Sequence, residues 1–262
     1  MARKIVITSG KGGVGKTTVC ANLGIALASQ GYRVAVIDLD FGLNNLDVVL
    51  GIEGSVLYDM FDLLEGRCRV SQALISTEKR KNLYVLPSGS FVGNADISGQ
   101  NIKLILESIN HSFDFILVDS PAGIDLGFHR AVSACDEALV ITTPSLTSLR
   151  DADKVLTILY SYKPKSIGLV VNRARGDLIM NDKMMMPLDI QEMLKTELIG
   201  IIPEEDAVFL SSGYELPKKS ESFKAFKLLS QNLINGSKKL YDVTNKYSGF
   251  FGSIRRSIKR SV

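Results

Sequence analysis

Residues 9–18 of this 262-residue chain read Ser9-Gly10-Lys11-Gly12-Gly13-Val14-Gly15-Lys16-Thr17-Thr18. An apolar run at residues 5–7 precedes this glycine-rich turn, and a longer apolar run at residues 19–27 follows it. Strand, turn and helix therefore come in the order that a phosphate-binding loop requires. All four fixed positions of the pattern G-x-x-x-x-G-K-[ST] are filled, and they are Gly10, Gly15, Lys16 and Thr17.

The chemistry of this turn suits a phosphorylated ligand. Its glycines permit backbone angles that a side chain would forbid, so several N–H groups can face one anion. The helix that follows adds its positive end. Lys16 is long enough to reach the β- and γ-phosphates of a nucleotide, and Thr17 can offer a hydroxyl to Mg²⁺. The loop residues predicted to bind the nucleotide are Gly12, Gly13, Val14, Gly15, Lys16, Thr17 and Thr18.

The composition fits one sizeable globular domain, since 45% of the residues are hydrophobic and 23% are charged. No apolar run approaches the ~20 residues of a membrane-spanning helix. The N-terminus leads into a short strand and not into the long apolar segment of a signal peptide. We expect a cytosolic protein with reduced thiols, because its few cysteines and histidines lack the spacing of zinc ligands. These residues are Cys20, Cys68, Cys135, His111 and His129.

The net charge of +3 is unevenly placed. Four basic residues near the C-terminus supply +4, so the rest of the chain is close to neutral. A nearly neutral body argues against a broad nucleic-acid-binding face, and no specific nucleic-acid partner is expected. The four basic residues are Arg255, Arg256, Lys259 and Arg260.

Apolar, β-branched runs alternate with amphipathic stretches along the chain. This alternation predicts a doubly wound, mostly parallel α/β sheet with helices on both faces. The predicted strands are residues 4–8, 33–38, 83–86, 115–119, 137–142, 166–172 and 198–202. The predicted helices are residues 16–29, 100–110, 126–133, 145–161, 188–195, 204–210 and 222–240. We divide the chain into a nucleotide-binding domain at residues 1–240, a connector at 241–249 and a tail at 250–262.

Acidic residues follow two of the predicted strands, at the edge where such sheets bind ligands. Asp38 and Asp40 end the second strand, and two acids two apart point to the same side. One of them could hold a metal-bound water while the other orients an attacking water. Asp119 ends an apolar strand, where a nucleotidase places its Mg²⁺-side carboxylate. The alternative for each is a surface acid at a strand end. The predicted Mg²⁺ ligands are Thr17, Asp38 and Asp119.

Lys11 is a second lysine inside the glycine-rich turn, and the general pattern does not require it. It lies too close to the loop backbone to serve its own nucleotide easily. Two interpretations remain. Lys11 is exposed to solvent, or it reaches a phosphate bound to a partner subunit and adds charge where the transition state needs it.

Residues 11–18, 38–40 and 119–123 together resemble the deviant Walker A (MinD/ParA) family of P-loop ATPases. The resemblance covers essentially the whole chain and is closest to the family's division-site-determining members. It implies a P-loop NTPase fold of the deviant Walker A type, which binds ATP and Mg²⁺. It implies that Lys11 contacts the nucleotide across an ATP-bound homodimer, that Asp40 positions the hydrolytic water and that Asp119 lies near Mg²⁺. The implied catalytic residues are thus Lys11, Lys16 and Asp40.

The same resemblance implies contacts and partners beyond the phosphates. The residues that match the family's adenine contacts are Asn172, Arg173, Pro203 and Glu204. The implied function is to position the cell-division site by recruiting a MinC-like septum inhibitor to the membrane. A MinE-like activator or topological factor would stimulate hydrolysis and release. The implied location is cytoplasmic and peripheral, on the inner face of the cell membrane.

The C-terminal tail has the pattern of a membrane-surface helix. Wound as a helix, residues 250–262 place an apolar stripe beside a basic stripe. The alternatives are a helix that docks on the body or a disordered basic tail. The family resemblance favours membrane targeting, because its members carry such a helix at this place. The residues predicted to bind an anionic membrane are Phe250, Phe251, Ile254, Arg255, Ile258 and Lys259.

Three other functions share this fold. An FlhG-like flagellar-number ATPase would carry an N-terminal activating extension, whereas the first strand here starts by Lys4. A ParA-like DNA-segregation ATPase would spread basic residues over its dimer face, which the near-neutral body does not suggest. A nitrogenase iron protein would need two cluster cysteines near that face, and Cys135 has no companion.

Overall fold

The computed structural model describes residues 1–41, 45–77, 80–89, 97–211 and 215–248. Within these ranges eight strands form one sheet, with helices packed on both faces. This confirms the predicted doubly wound, mostly parallel α/β fold. The strands are β1 (Arg3–Thr8), β2 (Val34–Asp38), β3 (Ile75–Thr77), β4 (Arg80–Leu86), β5 (Phe115–Asp119), β6 (Glu137–Thr142), β7 (Ser166–Ala174) and β8 (Leu198–Pro203).

The sheet has the spatial order β3-β4-β2-β5-β1-β6-β7-β8. All neighbouring strands pair in parallel except β3, which runs antiparallel to β4 at one edge. β1 lies between β5 and β6, so the turn that follows it opens at the middle of the sheet's carboxyl edge. Parallel strands bury both faces, and β1 shows this directly, since residues 5–7 are fully buried.

The helices belong to two apolar layers on either side of the sheet. Ile5 and Ile7 of β1 pack into one layer, and Val6 packs into the other. The helices in chain order are α1 (Lys16–Ala28), α2 (Leu46–Leu50), α3 (Met60–Leu64), α4 (Val70–Ala73), α5 (Gly99–Ile109), α6 (Leu126–Ser133), α7 (Leu146–Tyr162), α8 (Gly176–Ile179), α9 (Pro187–Leu194), α10 (Asp206–Leu210) and α11 (Glu221–Asn235). Helices α1 and α11 cover the first layer, and α5, α6, α7 and α9 cover the second.

Several predicted boundaries need correction. The last helix ends at Asn235 and not at residue 240, because Gly236 has a left-handed backbone (φ 64°) that stops it. Helix α10 begins two residues later than predicted, since the backbone of Glu205 is extended. Strand β4 begins at residue 80 and not at residue 83. The sequence pattern missed β3 and the short helices α2, α3, α4 and α8, which have too few residues to show a period.

Residues 237–248 form a C-terminal strap that is docked on the body. The Asn232 side chain donates hydrogen bonds to the carbonyl oxygens of Ile199 and Lys239, both at 2.9 Å, and so ties the strap to the edge strand β8. Val243 and Tyr247 are buried farther along. The predicted connector is therefore part of the folded body as far as residue 248.

Some residues with predicted functions lie outside the part of the chain that the structure describes. The predicted membrane residues Phe250, Phe251, Ile254, Arg255, Ile258 and Lys259 lie outside the described residues. So do residues 42–44 in the loop that follows Asp40. Among the described residues, no helix combines the length and the apolar character needed to cross a bilayer.

Gly176 sets how closely the strap approaches the sheet. A Cβ at Gly176 would lie 1.9 Å from the carbonyl oxygen of Val243 and 2.9 Å from the Tyr247 ring. Gly176→Ala should therefore push the strap off, lower the free energy of unfolding by about 1–3 kcal/mol and speed tryptic cleavage at Lys239 and Lys246. Denaturant unfolding and limited proteolysis measure both effects.

Gly54→Ala is the matched control, because a Cβ at Gly54 meets nothing within 4 Å. It should change neither the unfolding free energy nor the cleavage rate. Equal behaviour of the two variants would contradict the docking of the strap.

Candidate functional site

The turn between β1 and α1 adopts a conformation that depends on glycine. Gly13 (φ 78°) and Gly15 (φ 90°) both lie in the left-handed region. Helix α1 begins directly after Gly15, without a side-chain cap and without an acidic residue in its first turn. The N–H groups at its start therefore have no side-chain acceptor from the cap position, and they are available to an anion.

The start of the turn is packed against α7. A Cβ at Gly10 would lie 2.1 Å from the carbonyl oxygen of Asp151, so only glycine fits there without displacing the backbone. On the other side, the Gly123 N–H donates to the Ser9 carbonyl at 3.1 Å. The turn is thus held between α7 and the segment that follows β5.

Three ionisable side chains meet beneath the turn. The Lys16 Nζ lies 3.2 Å from Asp119 Oδ1, and both side chains are buried. Asp38 pairs with Asp119 in the register of β2 and β5, so the two acids end neighbouring strands. The Asp40 N–H donates to Asp38 Oδ1 at 2.9 Å. The structure therefore brings together four of the predicted residues, Lys16, Asp38, Asp40 and Asp119.

Burial controls the electrostatics of this group. Burial and the neighbouring Asp119 charge raise the pKa of Asp38 to about 7. Burial also raises the pKa of Asp119, although the Lys16 ammonium and a hydrogen bond from Thr17 act in the opposite direction. The group thus holds two buried carboxyls and one buried ammonium, and the site favours an additional positive charge.

The residues present fit a Mg²⁺ ion. Asp119 Oδ2 and Thr8 Oγ1 are buried without a hydrogen-bond partner in the described part of the chain. A free carboxylate oxygen near the Thr17 hydroxyl is the donor set that Mg²⁺ accepts, usually through one or two carboxylates together with waters and phosphates. The described residues contain no cluster of three acidic, histidine or cysteine ligands that would hold a metal by themselves.

A cavity of about 510 Å³ opens beside the turn, within the size range of small-ligand pockets. Its wall includes six predicted nucleotide contacts: Gly15, Thr18, Asn172, Arg173, Pro203 and Glu204. Sequence analysis missed other lining residues, among them Asn22, Val49, Arg175 and Phe209. No motif marks these positions, and Phe209 belongs to the short helix α10.

The predicted adenine contacts differ in how they are held. The Asn172 side chain donates from Nδ2 to the Val14 carbonyl at 2.7 Å, so it contacts the turn itself. Arg173 has a left-handed backbone (φ 55°), which is uncommon for a side chain of this size. Glu204 is half exposed and lies 4.0 Å from Arg175.

Lys11 is exposed, and it forms no ion pair within the described residues. Its carbonyl accepts a hydrogen bond from the Ser9 hydroxyl at 3.0 Å. The geometry is compatible with both interpretations of Lys11, because an exposed ammonium can remain in solvent or contact a second molecule.

Known proteins with similar sequences were found over most of the chain. Residues 5–217 match the family described as the CobQ/CobB/MinD/ParA nucleotide binding domain. The chain is 37% identical over 263 residues to the septum site-determining protein MinD of Synechocystis sp., a match that covers 98% of this chain and 99% of that protein.

Two solved structures are also similar. The MinC:MinD cell division protein complex of Aquifex aeolicus superposes with a TM-score of 0.85 at 40% identity, covering 92% of this chain and 99% of that one. The septum site-determining protein MinD of Pyrococcus horikoshii, complexed with Mg-ADP, gives a TM-score of 0.80 at 30% identity, covering 90% and 97%.

The raised pKa of Asp38 makes a prediction for stability. In the folded protein without metal or nucleotide this carboxyl titrates near pH 7, against about 4 when unfolded. Its contribution favours folding at low pH and is lost as the pH rises through about 7. Asp38→Asn should therefore stabilise that protein relative to the parent, more at pH 8 than at pH 5 by about 1–3 kcal/mol.

Urea unfolding at the two pH values measures this difference. Asp153→Asn is the control, because Asp153 is exposed on α7 and its removal should show no such pH dependence. An Asp38→Asn effect that is equal at both pH values would contradict the burial argument.

Proposed function

The chain belongs to the MinD family of septum site-determining cell division ATPases, and from this premise we propose that it is an ATP-dependent, membrane-associating dimer. It positions the division site by recruiting a septum inhibitor to the membrane, and hydrolysis releases it. The observation that carries the proposal is the group of Lys16, Asp38 and Asp119 beneath the glycine-rich turn.

ATP would lie along the carboxyl edge of the sheet. The N–H groups of the turn and the start of α1 would bind its phosphates, and Lys16 would contact the β- and γ-phosphates. The base would enter the cavity between β7, β8 and α10, where Asn172, Arg173, Pro203 and Glu204 line the wall. The similar MinD of Pyrococcus horikoshii is a complex with Mg-ADP, which supports this class of ligand.

Thr17, Asp38 and Asp119 would hold Mg²⁺. The ion supplies Lewis-acid stabilisation of the charge that develops on the phosphate oxygens. The Lys16 ammonium would also stabilise this negative charge. Its contact with Asp119 holds it at the carboxyl edge of the sheet.

Asp40 would orient the water that attacks the γ-phosphorus. It is only half buried and follows Asp38 by two residues, so its carboxylate can reach a solvent molecule. The water oxygen bonds to the γ-phosphorus, the bond to the β–γ bridging oxygen breaks, and ADP and phosphate leave. Lys11 of a second subunit would add positive charge at this point.

Dimerisation would join the carboxyl edges of two subunits. Large apolar side chains are exposed at that edge in the described structure, among them Ile124, Leu126 and Leu146. Exposed apolar groups of this kind are candidates for burial in an interface. The free ammonium of Lys11 lies at the same edge, at the start of the turn.

The tail would bind the membrane weakly in one subunit and firmly in two. Each Lys or Arg contributes roughly 1 kcal/mol near an anionic surface, and ordering the segment cancels much of the gain from inserting its apolar residues. In a dimer the second insertion is intramolecular, which raises avidity ~10²–10⁴-fold. ATP binding thus controls membrane binding without direct contact between the two sites.

The partners would be a MinC-like septum inhibitor and a MinE-like activator or topological factor. The similar Aquifex aeolicus structure is a complex of MinC with MinD, which supports the first. The location would be cytoplasmic and peripheral, on the inner face of the cell membrane.

The test compares three chains with ATP or ADP in the presence of Mg²⁺: the full chain, Lys11→Ala, and a chain that ends at Ser248. Light scattering measures the mass, and co-sedimentation with phosphatidylglycerol vesicles measures membrane binding. We expect the full chain to dimerise and bind vesicles with ATP only. Lys11→Ala should bind ATP but stay monomeric, and the shortened chain should dimerise but remain in the supernatant.

These changes are chosen to keep the described body, because Lys11 is exposed and the shortened chain retains the buried Tyr247. A full chain that stays monomeric with ATP would overturn the dimer. A shortened chain that sediments with vesicles as well as the full chain does would overturn the role of the tail.

A further inference from the structure

We propose that Asn172 is a positioning residue for the phosphate-binding turn, in addition to lining the base cavity. Its side-chain amide fixes the orientation of the peptide that joins Val14 to Gly15. The proposal rests on the proposed function, since it concerns how the same site binds ATP. Within the described structure, this is the contact through which the end of β7 reaches the turn.

The contact is close and buried. Asn172 Nδ2 donates to the Val14 carbonyl oxygen at 2.7 Å across a separation of 158 residues. Val14 and Asn172 are 5% and 6% exposed, so water has little access to this hydrogen bond. A buried carbonyl that lost its donor would keep the full cost of desolvation.

Gly15 interlocks with the same amide. A Cβ at Gly15 would lie 2.4 Å from Asn172 Nδ2, so the amide occupies the place that a side chain would need. Gly15 also has a left-handed backbone, at φ 90°. Two independent features thus require glycine at this position, and one of them is the presence of Asn172.

The peptide plane transmits the effect to the anion site. No peptide bond among the described residues is cis, and in a trans peptide the C=O and the following N–H point in opposite directions. Holding the Val14 carbonyl on Asn172 therefore aims the Gly15 N–H away from Asn172. The hydrogen bond also opposes a peptide flip, which would turn a carbonyl oxygen toward the phosphates in place of an N–H donor.

The end of β7 is irregular where it carries Asn172, and this irregularity allows the side chain to contact the turn. The register of β7 and β8 shifts between Val171 and Ala174, so the strand becomes irregular where Asn172 lies. Arg173 takes a left-handed backbone in the same stretch. Asn172 thus faces the turn while Arg173 lines the cavity.

The two possible roles of Asn172, contact with the base and positioning of the turn, predict different effects on the binding of ATP and of inorganic tripolyphosphate. If Asn172 only contacted the base, replacing it would weaken the binding of ATP and leave the binding of inorganic tripolyphosphate unchanged. If Asn172 positions the turn, the affinities for ATP and for tripolyphosphate fall by a similar factor. We expect about 10-fold for each, because each ligand would have to restore the peptide orientation that one hydrogen bond of ordinary strength now holds.

The experiment titrates Mg-ATP and Mg-tripolyphosphate into the full chain and follows the Gly15 amide resonance by ¹⁵N NMR, which measures weak binding directly. Asn172→Leu removes the donor and keeps most of the volume, and Asn172→Ala is the second variant in case leucine does not fit. Asn235→Leu is the matched control. It makes the same change at an exposed position at the end of α11, outside the cavity wall, so it should leave both affinities unchanged.

A measurement on the parent chain tests the proposal without requiring that the variants fold. Before any ligand is added, the Asn172 side-chain amide should exchange slowly with solvent, because the bond to Val14 already exists. Fast exchange in the free protein would overturn the proposal. So would loss of ATP affinity in the variants with tripolyphosphate affinity retained, or a parent chain that binds ATP and not tripolyphosphate. A parent chain that binds neither ligand would instead overturn the proposed ATP site.

Discussion

The site depends on a buried pair of an ammonium and a carboxylate beside a second buried carboxyl. Lys16 contacts Asp119 directly, and Asp38 ends the neighbouring strand. With one positive and two negative charges the group is unbalanced, and removal from water makes that imbalance expensive. Burial raises the pKa of Asp38 to about 7, so a proton on this carboxyl corrects the imbalance below that pH. Under the proposed function a divalent cation would correct it instead, and the same electrostatic demand would link protonation, metal binding and phosphate binding at one edge of the sheet.

The fold supplies this arrangement through strand order. β1 lies at the middle of the sheet, with β5 on one side and β6 on the other. The chain between β1 and β2 passes over one face through α1, and the chain from β5 to β6 passes over the opposite face through α6. At such a change of direction the loops separate and leave a crevice at the carboxyl ends of the strands. The glycine-rich turn lies there, held between α7 and the loop after β5.

The sequence predicted what depends on local pattern. The phosphate-binding turn and the long helix α1 follow from adjacent residues, and the core strands follow from continuous apolar runs. β3 and α8 escaped prediction because three or four residues show no period. The Asn172–Val14 contact and the docking of residues 237–248 escaped because they join segments far apart in the chain. Asn172 was found through family resemblance as a base contact, whereas its hydrogen bond to the turn required coordinates.

The docked C-terminal strap has a mechanical consequence. Tyr247 is held beside Gly176, directly after β7, so whatever follows Ser248 starts from a fixed point near the ligand cavity. Fully extended, the 14 residues from 249 to 262 could span at most about 50 Å. Under the proposed function, a membrane bound by these residues would therefore lie within that distance of Ser248, beside the body that binds the nucleotide.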